Sequence, residues 1–443
     1  MALKDPVPVD EYHSLGIWQR FWYSLRHHPR RVAEVTLLLL MILVEWMGIT
    51  IIAPLTPWFI EKLSPHMDEG AAASIMIASY AAGTTLGSLV SGPISDRVGR
   101  RPVFLAGLML YATSYFLAAN AWNLISFACF RALGGVAAGN RPVFIAFLVD
   151  TSDPRDLTFY GALLSISVNV GICIGPMIGG ALALVKLEFP LYLFGGVSSV
   201  LLVLLFFILR ESHHNRSTNT TTDAGRSMAN NTTYERRQQA PPNKWLMPTT
   251  TLLALIAFCA QYMLTGWSTV FGLLGAERYG LNSAENGLAF GVQGCVMILL
   301  CICYIPITKH LLSPALTAAA GLAVSSLLII VPFLHSIYWT TAIGTVAGVG
   351  CFLFFSGIAY FINIVSPGGR RGLRGSLVMT SSNAGAVCGP IISGVLYDAD
   401  PGRRAYPFYA SLVVSILAAL CCGIVDRGIK YTLRWMERAR PGT

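Results

Sequence analysis

Charged residues are scarce in this chain. Asp, Glu, Lys and Arg together make up 12% of its 443 residues, whereas hydrophobic residues make up 54%. The mean hydropathy is +0.60. A soluble protein needs more charge than this to cover the surface that faces water. The sequence therefore predicts a protein whose main solvent is lipid.

Signatures of several other protein classes are missing. No segment resembles G-x-x-x-x-G-K-S/T, so we expect no nucleotide. No His and Cys spacing suits a metal, and no nucleophile and base are arranged for catalysis, so we expect no metal, no cofactor and no enzymatic activity. All ten cysteines lie within apolar segments and are predicted to be packing residues. The first 31 residues contain no apolar h-region, which argues against a cleaved signal peptide.

Twelve apolar segments are each long enough to cross about 30 Å of hydrocarbon, which takes roughly 20 helical residues. They are 35–59, 71–90, 102–119, 124–149, 157–185, 189–209, 246–274, 287–305, 315–334, 338–364, 375–396 and 407–425. The fold class is therefore predicted to be an all-α membrane protein with two six-helix bundles, at 32–210 and 245–426. The polar link 211–244 lacks periodicity and predicts a disordered cytoplasmic tether. Residues 1–31, whose aromatic and basic residues suit either an interfacial helix or a flexible tail, and the basic tail 427–443 complete the chain.

The net charge of +9 is distributed as in a membrane protein and not as in a nucleic-acid-binding protein. With the amino terminus inside, 24 of the 31 Lys and Arg fall in cytoplasmic segments, five in external loops and two within the membrane. This positive-inside bias places both termini in the cytoplasm. The sequence predicts a multi-pass protein of the plasma membrane or of an organelle membrane, and it does not distinguish the two.

A glycine-proline pattern occurs twice, 214 residues apart, as if the chain were a tandem duplication. The copies are Gly171-x-x-x-Gly175-Pro176-x-x-Gly179-Gly180 and Gly385-x-x-x-Gly389-Pro390-x-x-Ser393-Gly394. Glycines four apart let two helices approach closely, so both copies are predicted to be packing and hinge sites. If the fifth span packs on the eighth, the small residues facing the first copy are those of 287–291. If the second span packs on the eleventh, the small residues facing the second copy are Gly83 and Gly87.

The link between the second and third spans has an unusual order of residues. It reads Gly92-Pro-Ile-Ser-Asp96-Arg97-Val-Gly99-Arg100-Arg101 and resembles the loop signature of the major facilitator superfamily. The resemblance implies a twelve-helix carrier that works by alternating access, with this loop as a conformational switch that holds the halves together on the inner side. Asp96 is then expected to dock near the start of span eleven, where Arg370, Arg371 and Arg374 cluster.

Glu45 is the deepest acid in any predicted span. The order Glu45-x-x-Gly48-x-x-x-x-x-Pro54-x-x-Pro57 resembles the first-helix pattern of the drug:proton antiporters in that superfamily, with Glu in place of Asp. Twelve residues from Ala33 place Glu45 roughly 18 Å deep, close to the midplane. A charged acid at that depth is strongly disfavoured. Glu45 is therefore either a structural carboxylate paired with Arg or a group that takes up and releases a proton.

Two arginines on the fourth span are the candidate partners of Glu45. Arg131 matches the buried fourth-helix arginine that the family links to proton transfer, and we expect it to tune Glu45. Arg141 stands where the family usually has a small residue. It either extends toward the inner surface near Asp150 or receives an anionic group of the substrate.

Substrate contacts are predicted at Arg141 and at polar or aromatic residues within spans, namely Tyr80, Asn169, Gln261, Trp267, Gln293, Phe355 and Asn383. The favoured function is proton-coupled antiport of a small organic solute or drug by a monomer in the lipid bilayer. Its partners are a small-molecule substrate and protons, with no nucleic acid or nucleotide. The alternatives are a uniporter or proton symporter for a small organic anion, and a transport-inactive receptor on the same fold.

Overall fold

The computed structural model describes residues 29–151, 157–211, 246–310, 314–365 and 371–438, and within these ranges it is helical without strands. The helices are α1 (Pro29–Thr50), α2 (Ile52–Leu63), α3 (Glu69–Val98), α4 (Arg100–Ala119), α5 (Leu124–Ala138), α6 (Arg141–Thr151), α7 (Leu157–Ala183), α8 (Phe189–Ile208), α9 (Leu246–Glu277), α10 (Ser283–His310), α11 (Pro314–Val324), a 3-10 helix (Ser325–Phe333), α12 (Ile337–Val365), α13 (Arg371–Asp398) and α14 (Tyr406–Arg438). The all-α prediction is thus confirmed for the described residues.

Helical backbone occupies each of the twelve predicted segments. Seven helices in the described ranges are long and apolar enough to cross a membrane by length and composition. Residues 1–28 of the predicted N-terminal segment 1–31 and residues 212–244 of the predicted tether 211–244 lie outside the described residues. Helix ends differ from the predicted ends, because hydropathy marks the lipid boundary and a helix can continue into water. For example, α3 runs to Val98 and includes the first part of the loop motif, and α14 runs to Arg438.

Prolines explain two breaks within predicted spans. Pro54 has no N–H for the carbonyl of Thr50, and its ring crowds that carbonyl, so α1 ends at Thr50. Likewise, Pro142 has no N–H for the carbonyl of Ala138, four residues before it, and Ala138 is the last residue of α5. The first span therefore consists of α1 and α2, and the fourth consists of α5 and α6. Both breaks lie beside the acid and arginines that the sequence selects.

The two halves of the chain, residues 29–211 and 246–438, meet through α3 against α13 and α7 against α10. These are the helix pairs predicted from the glycine patterns. The predicted surface of α3 was wrong, however, because a Cβ on Gly83 or Gly87 would meet the backbone of Ala132 or Val136 on α5. Spacing shows that small residues share a face but does not show which neighbour they contact. Gly70 and Ser74 of α3 contact α13 instead.

Candidate functional site

The first glycine-proline copy, on α7, contacts helices of both halves. A Cβ on Gly171 would lie 2.7 Å from Trp46 Cβ, and a Cβ on Gly175 would lie 2.6 Å from Met47 O, so both glycines face α1. Gly179 continues this face against Ile51. The adjacent glycine, Gly180, faces the other half, where a Cβ would lie 2.3 Å from the carbonyl of Ser283 on α10. The pattern therefore provides close packing inside one half and across the boundary.

The second copy, on α13, repeats this arrangement. Gly385 and Gly389 face the backbone of α9, with Cβ contacts of 2.3 Å to Phe258 O and 2.6 Å to Tyr262 O. Gly394 faces α3 in the other half. The departure at Ser393 is accommodated because its partner on α9 is Gly266, where a Cβ would meet Ser393 Oγ at 2.5 Å.

Polar contacts also join the halves where α3 begins and α13 ends, which we name the closed end. Asp398 at the end of α13 accepts hydrogen bonds from the backbone N–H groups of Gly70 and Ala71, both at 2.8 Å. Ser74 Oγ donates to the carbonyl of Pro390 at 2.7 Å. Asn286 on α10 donates to the carbonyl of Pro54 on α2 at 3.0 Å. Polar contacts thus supplement glycine packing at the closed end.

The loop motif, at the opposite end, is organised around Arg100. Its guanidinium donates to Asp96 Oδ1 at 2.6 Å and to Ser95 Oγ at 2.5 Å, and its Nε donates to Asp150 Oδ2 at 3.3 Å. Asp96 remains 66% exposed on its side chain. The expected docking of Asp96 on α13 stays a prediction. Arg370 is outside the described residues, and the side chains near the start of α13 are not described.

Glu211 holds the start of α4. Its carboxylate accepts from the backbone N–H groups of Arg100 at 2.8 Å and Arg101 at 3.1 Å, which suits a negative charge at a helix N-terminus. Gly99 is required beside it, because its φ is +103° and a Cβ would lie 2.5 Å from Glu211 Oε2. Arg101 also donates to the carbonyl of Phe206 at 2.6 Å. The other predicted switch residues, Gly92 and Arg97, lie on the last turns of α3.

Glu45 is buried, with 2% of its surface exposed. Its Oε1 accepts a hydrogen bond from Nδ2 of Asn140, at 2.8 Å, and Tyr111 OH donates to its backbone carbonyl at 3.1 Å. None of the ion pairs within 4 Å among the described residues includes Glu45. The contact that holds its carboxyl group is therefore an amide and not an arginine.

Arg131 supports the break between α1 and α2. Its guanidinium donates to the carbonyls of Gly48 at 3.3 Å and Ile49 at 3.4 Å, and to Tyr115 OH at 3.0 Å. It also lies 4.5 Å from the ring centroid of Tyr80. Within the described residues, Arg131 thus contacts the first span through backbone carbonyls near Glu45. The tuning of Glu45 by Arg131 stays a prediction.

Arg141 is the first residue of α6 and is exposed. Its guanidinium carbon lies 4.1 Å from the ring centroid of Trp46, the neighbour of Glu45. Two consecutive residues, Asn140 and Arg141, therefore contact two consecutive residues of α1: Asn140 contacts Glu45, and Arg141 contacts Trp46. The ion pairs of the described residues do not include Arg141, and Asp150 pairs with Arg100 instead. An exposed cation without a carboxylate is available to a ligand.

Among the remaining predicted substrate residues, the hydrogen bonds of the described residues join one pair, Trp267 and Gln293. Tyr80 is buried under Arg131, and Trp267 is buried, where its Nε1 donates to Gln293 Oε1 at 3.1 Å. Asn169 donates to the carbonyl of Ser165 on its own helix at 2.7 Å. Gln261 on α9 and Asn383 on α13 are partly exposed. The side chain of Phe355 is not described. Their role as a substrate cavity stays a prediction.

Sequence reasoning missed Asn140, Glu211 and Asp398. Asn140 carried a usable signal, since it is a polar residue directly before a proline-containing break in an apolar span. Glu211 was assigned to the tether, and its partners lie over 100 residues away. Asp398 follows the predicted span 375–396 and received no role.

Comparisons with known proteins agree with this architecture. The sequence profile described as Major Facilitator Superfamily matches residues 38–321 and 310–433. Multidrug resistance protein 1 of Bacillus subtilis (strain 168) is 23% identical over 414 residues, which covers 91% of this chain and 97% of that protein. Quinolone resistance protein NorA of Staphylococcus aureus (strain MRSA252) is 24% identical over 410 residues, with 91% and 99% covered.

Solved structures show the same fold. A bacterial homolog of the human lysosomal transporter Spinster, in an inward-facing and occupied conformation, superposes with a TM-score of 0.69 at 15% identity, covering 92% of this chain and 97% of that one. The human organic anion transporter MFSD10 (TETRAN) gives a TM-score of 0.60 at 20% identity, with 89% and 99% covered. The match of the profile over most of the chain confirms the family that the loop motif predicted. The chain belongs to the Major Facilitator Superfamily and is an integral, multi-pass membrane transporter.

Proposed function

We propose that the protein exports a small organic solute or drug in exchange for protons, by alternating access in a twelve-span, two-bundle carrier with both termini in the cytoplasm. Helical backbone in each of the twelve predicted segments supports the span count. The observation that carries the proposal is Glu45, a buried acid in the first bundle whose carboxyl group is held by Asn140.

An acid in this position suits proton coupling for an electrostatic reason. A buried carboxylate that forms no ion pair is costly, whereas the protonated form is neutral. Arg131 is committed to carbonyls of α1 and to Tyr115, so Glu45 is free to change its charge without breaking an ion pair. Proton uptake and release at Glu45 can then be linked to the bundle's conformation.

The closed end supports alternating access. With the amino terminus inside, the closed end faces the exterior and the loop motif faces the cytoplasm. Asp398 on α13 then locks the exterior side by contacting the N-terminus of α3. Asp96 at the other end of α3 is the corresponding group for the start of α13 on the cytoplasmic side. The same helix pair would thus be joined alternately at its two ends.

The relatives favour drug-like substrates. The curated proteins that match most of the chain are described as a multidrug resistance protein and a quinolone resistance protein. Quinolones carry a carboxylate, which the exposed guanidinium of Arg141 can receive. A fluorescent quinolone is therefore a suitable first probe.

A second candidate function is transport of an organic anion, by uniport or symport. Arg141 favours it, because this exposed guanidinium lies on an aromatic ring and is outside every ion pair of the described residues. Anionic compounds should then raise the melting temperature of the purified protein, and Arg141→Ala should abolish that rise. Stabilisation by cationic compounds alone would eliminate this candidate.

The proposal is tested by transport into proteoliposomes with an imposed pH gradient. We expect the fluorescent quinolone to accumulate against its concentration gradient and to be released when a protonophore collapses the pH gradient. Liposomes without protein are the control. If accumulation survives the protonophore, or if cationic, zwitterionic and anionic probes all fail to accumulate, the proton-coupled assignment is wrong.

A further inference from the structure

Asn140 occupies the N-cap position of α6 but its side chain does not cap that helix. Its carbonyl accepts from the backbone N–H groups of Val143 at 3.0 Å and Phe144 at 3.1 Å. Pro142, which precedes Val143, has no N–H. An N-cap Asn normally uses its side-chain oxygen to accept from one of these positions. Here those donors are already satisfied or missing, so local helix structure does not explain why the residue is Asn.

The side chain of Asn140 instead points at Glu45. Its Nδ2 donates to Glu45 Oε1 at 2.8 Å, and the residue is 2% exposed. Its Oδ1 is buried and has no hydrogen-bond partner among the described residues. A buried amide oxygen left unpaired is destabilising, so the site lacks a donor. A protonated carboxylic acid provides one, because its hydroxyl group can donate while its carbonyl oxygen accepts.

We propose that Asn140 is a positioning residue that recognises the protonated form of Glu45. The O–H of Glu45 donates to Asn140 Oδ1 while Asn140 Nδ2 donates to Glu45 Oε1, which gives an acid–amide pair with two antiparallel hydrogen bonds. On deprotonation, one of these bonds is lost and Oδ1 faces a carboxylate. This inference rests on the proposed role of Glu45 in proton coupling and names the residue that regulates it.

The other groups around Glu45 do not replace Asn140 in this role. Arg141 lies on Trp46, and Arg131 contacts carbonyls and Tyr115. Tyr111 donates to the backbone carbonyl of Glu45, so its hydroxyl group is directed away from the carboxyl group. Tyr80 on α3 lies against the guanidinium of Arg131, and Gly171 and Gly175 of α7 face this part of α1. Asn140 is the side chain that forms the described hydrogen bond to the carboxyl group.

The position of Asn140 links this pair to the fold. Asn140 lies at the break between α5 and α6, next to Gly139, where a Cβ would lie 2.4 Å from the backbone of Gly87 on α3. A shift of α3 against α5 would therefore be transmitted to the break that carries Asn140. The protonated pair stabilises the conformation described here, with its closed end, and loss of the proton weakens it.

The test measures the protonation of Glu45 directly and needs no substrate. Infrared difference spectra of the purified full-length protein in lipid nanodiscs, recorded at stepped pH, show the carbonyl band of protonated carboxylic acids. The part that disappears in Glu45→Gln belongs to Glu45. In Asn140→Leu we expect this band to move to higher frequency and its titration midpoint to shift to lower pH, by about tenfold in proton concentration.

The direction of the shift discriminates between two roles. If Asn140 only donates to a carboxylate, Asn140→Leu removes a bond from the charged form, and the midpoint moves to higher pH. A midpoint that rises or stays unchanged therefore overturns the proposal. A wild-type protein without any Glu45 band overturns both this proposal and the role of Glu45. A shifted band in a protein that fails to transport contradicts only the proposed function.

A second measurement does not depend on changing Asn140. Gln at position 45 keeps a donor and an acceptor for both polar atoms of Asn140, whereas Met of similar size leaves both unpaired. We expect Glu45→Gln to melt at a higher temperature than Glu45→Met and to show no pH dependence from this site. Equal or reversed melting temperatures would contradict the paired geometry.

Discussion

The carboxylate of Asp398 accepts a hydrogen bond from the backbone N–H of Gly70, so the last residue of α13 caps the first turn of α3 in the other half of the molecule. The neighbouring N–H of Ala71 contributes a second bond of equal length, 2.8 Å. A negative charge at a helix N-terminus stabilises it through both the hydrogen bonds and the helix dipole. The N-terminus of α3 is therefore capped by Asp398 only when the two bundles are in contact at the closed end.

Replacing Asp398 with Asn should open the closed end. The substitution removes the negative charge while the amide oxygen can still accept one hydrogen bond, so the loss is that of a charge at a helix N-terminus, about 0.3–1 kcal/mol, or about two- to fivefold in the population of the open state. Pulsed EPR distances between labels at His66 and Gly402, introduced as unnatural amino acids in the two exposed loops, should report a larger open fraction.

Asp400→Asn is the matched control for this prediction. Asp400 accepts from Ala405 N at 2.9 Å and Arg403 N at 3.3 Å, within its own loop. The hydrogen bond from Ala405 contributes most to holding the pKa of the Asp400 carboxyl below its usual range, and the bond from Arg403 adds to it. The carboxyl group is therefore ionised at neutral pH. We expect its replacement to leave the label distance unchanged. The same response in both variants would show that Asp398 has no special role in closure.

Gly394→Ala should separate α3 from α13. A Cβ there would lie 1.9 Å from Ser74 Oγ and 2.1 Å from Gly70 O, so the helices have to shift at a cost of about 1–3 kcal/mol. We expect a lower melting temperature and a larger open fraction in the EPR measurement. Gly196→Ala on α8, where a Cβ meets nothing within 4 Å, is the control. Equal effects of the two substitutions would refute close packing at the boundary.

The two glycines of the loop motif should respond differently to Ala. Gly99 has a positive φ, and an added Cβ would displace the carboxylate of Glu211 from the start of α4. Gly99→Ala should therefore lower the free energy of unfolding by about 1–3 kcal/mol and lower the melting temperature. Gly92 lies in α3 with open space around it. Gly92→Ala should leave the melting temperature unchanged or higher. A destabilised Gly92 variant together with a stable Gly99 variant would contradict the described loop geometry.

Arg131 and Arg141 should differ in their effect on stability. Arg131→Met leaves the carbonyls of Gly48 and Ile49 without their donor at the break of the first span, which costs about 1–3 kcal/mol. Arg141→Met removes an exposed side chain that lies on Trp46 and should change stability by less than about 0.5 kcal/mol. Thermal unfolding of both purified variants measures this. Similar melting temperatures would show that Arg131 does not support the break.

Much of the fold follows from the sequence, because hydropathy and proline act locally. Apolar length located the helical segments, and the duplicated glycines predicted the pairs α7 with α10 and α3 with α13. Glu45 was identifiable because a lone acid in an apolar span is costly wherever its neighbours lie. The loop motif was identifiable because its residues are contiguous.

Contacts between distant residues were not predictable in the same way. Asn140 and Glu45 are separated by 95 positions, and either residue alone is compatible with many partners. Gly83 and Gly87 were assigned to the wrong neighbour because spacing fixes a helix face but not what packs on it. Asp398 and Glu211 look like ordinary acids at the ends of spans until the fold brings a helix N-terminus to each.

The central claim is that Glu45 carries the coupled proton, and transport by Glu45→Gln in proteoliposomes tests it most directly. Two modes are measured with the same fluorescent quinolone: accumulation driven by a pH gradient, and exchange of labelled for unlabelled quinolone without a gradient. The exchange assay controls for folding, since Gln keeps the contacts with Asn140. We predict that Glu45→Gln retains exchange and loses gradient-driven accumulation. Full gradient-driven accumulation by Glu45→Gln would contradict the assignment of the proton to Glu45.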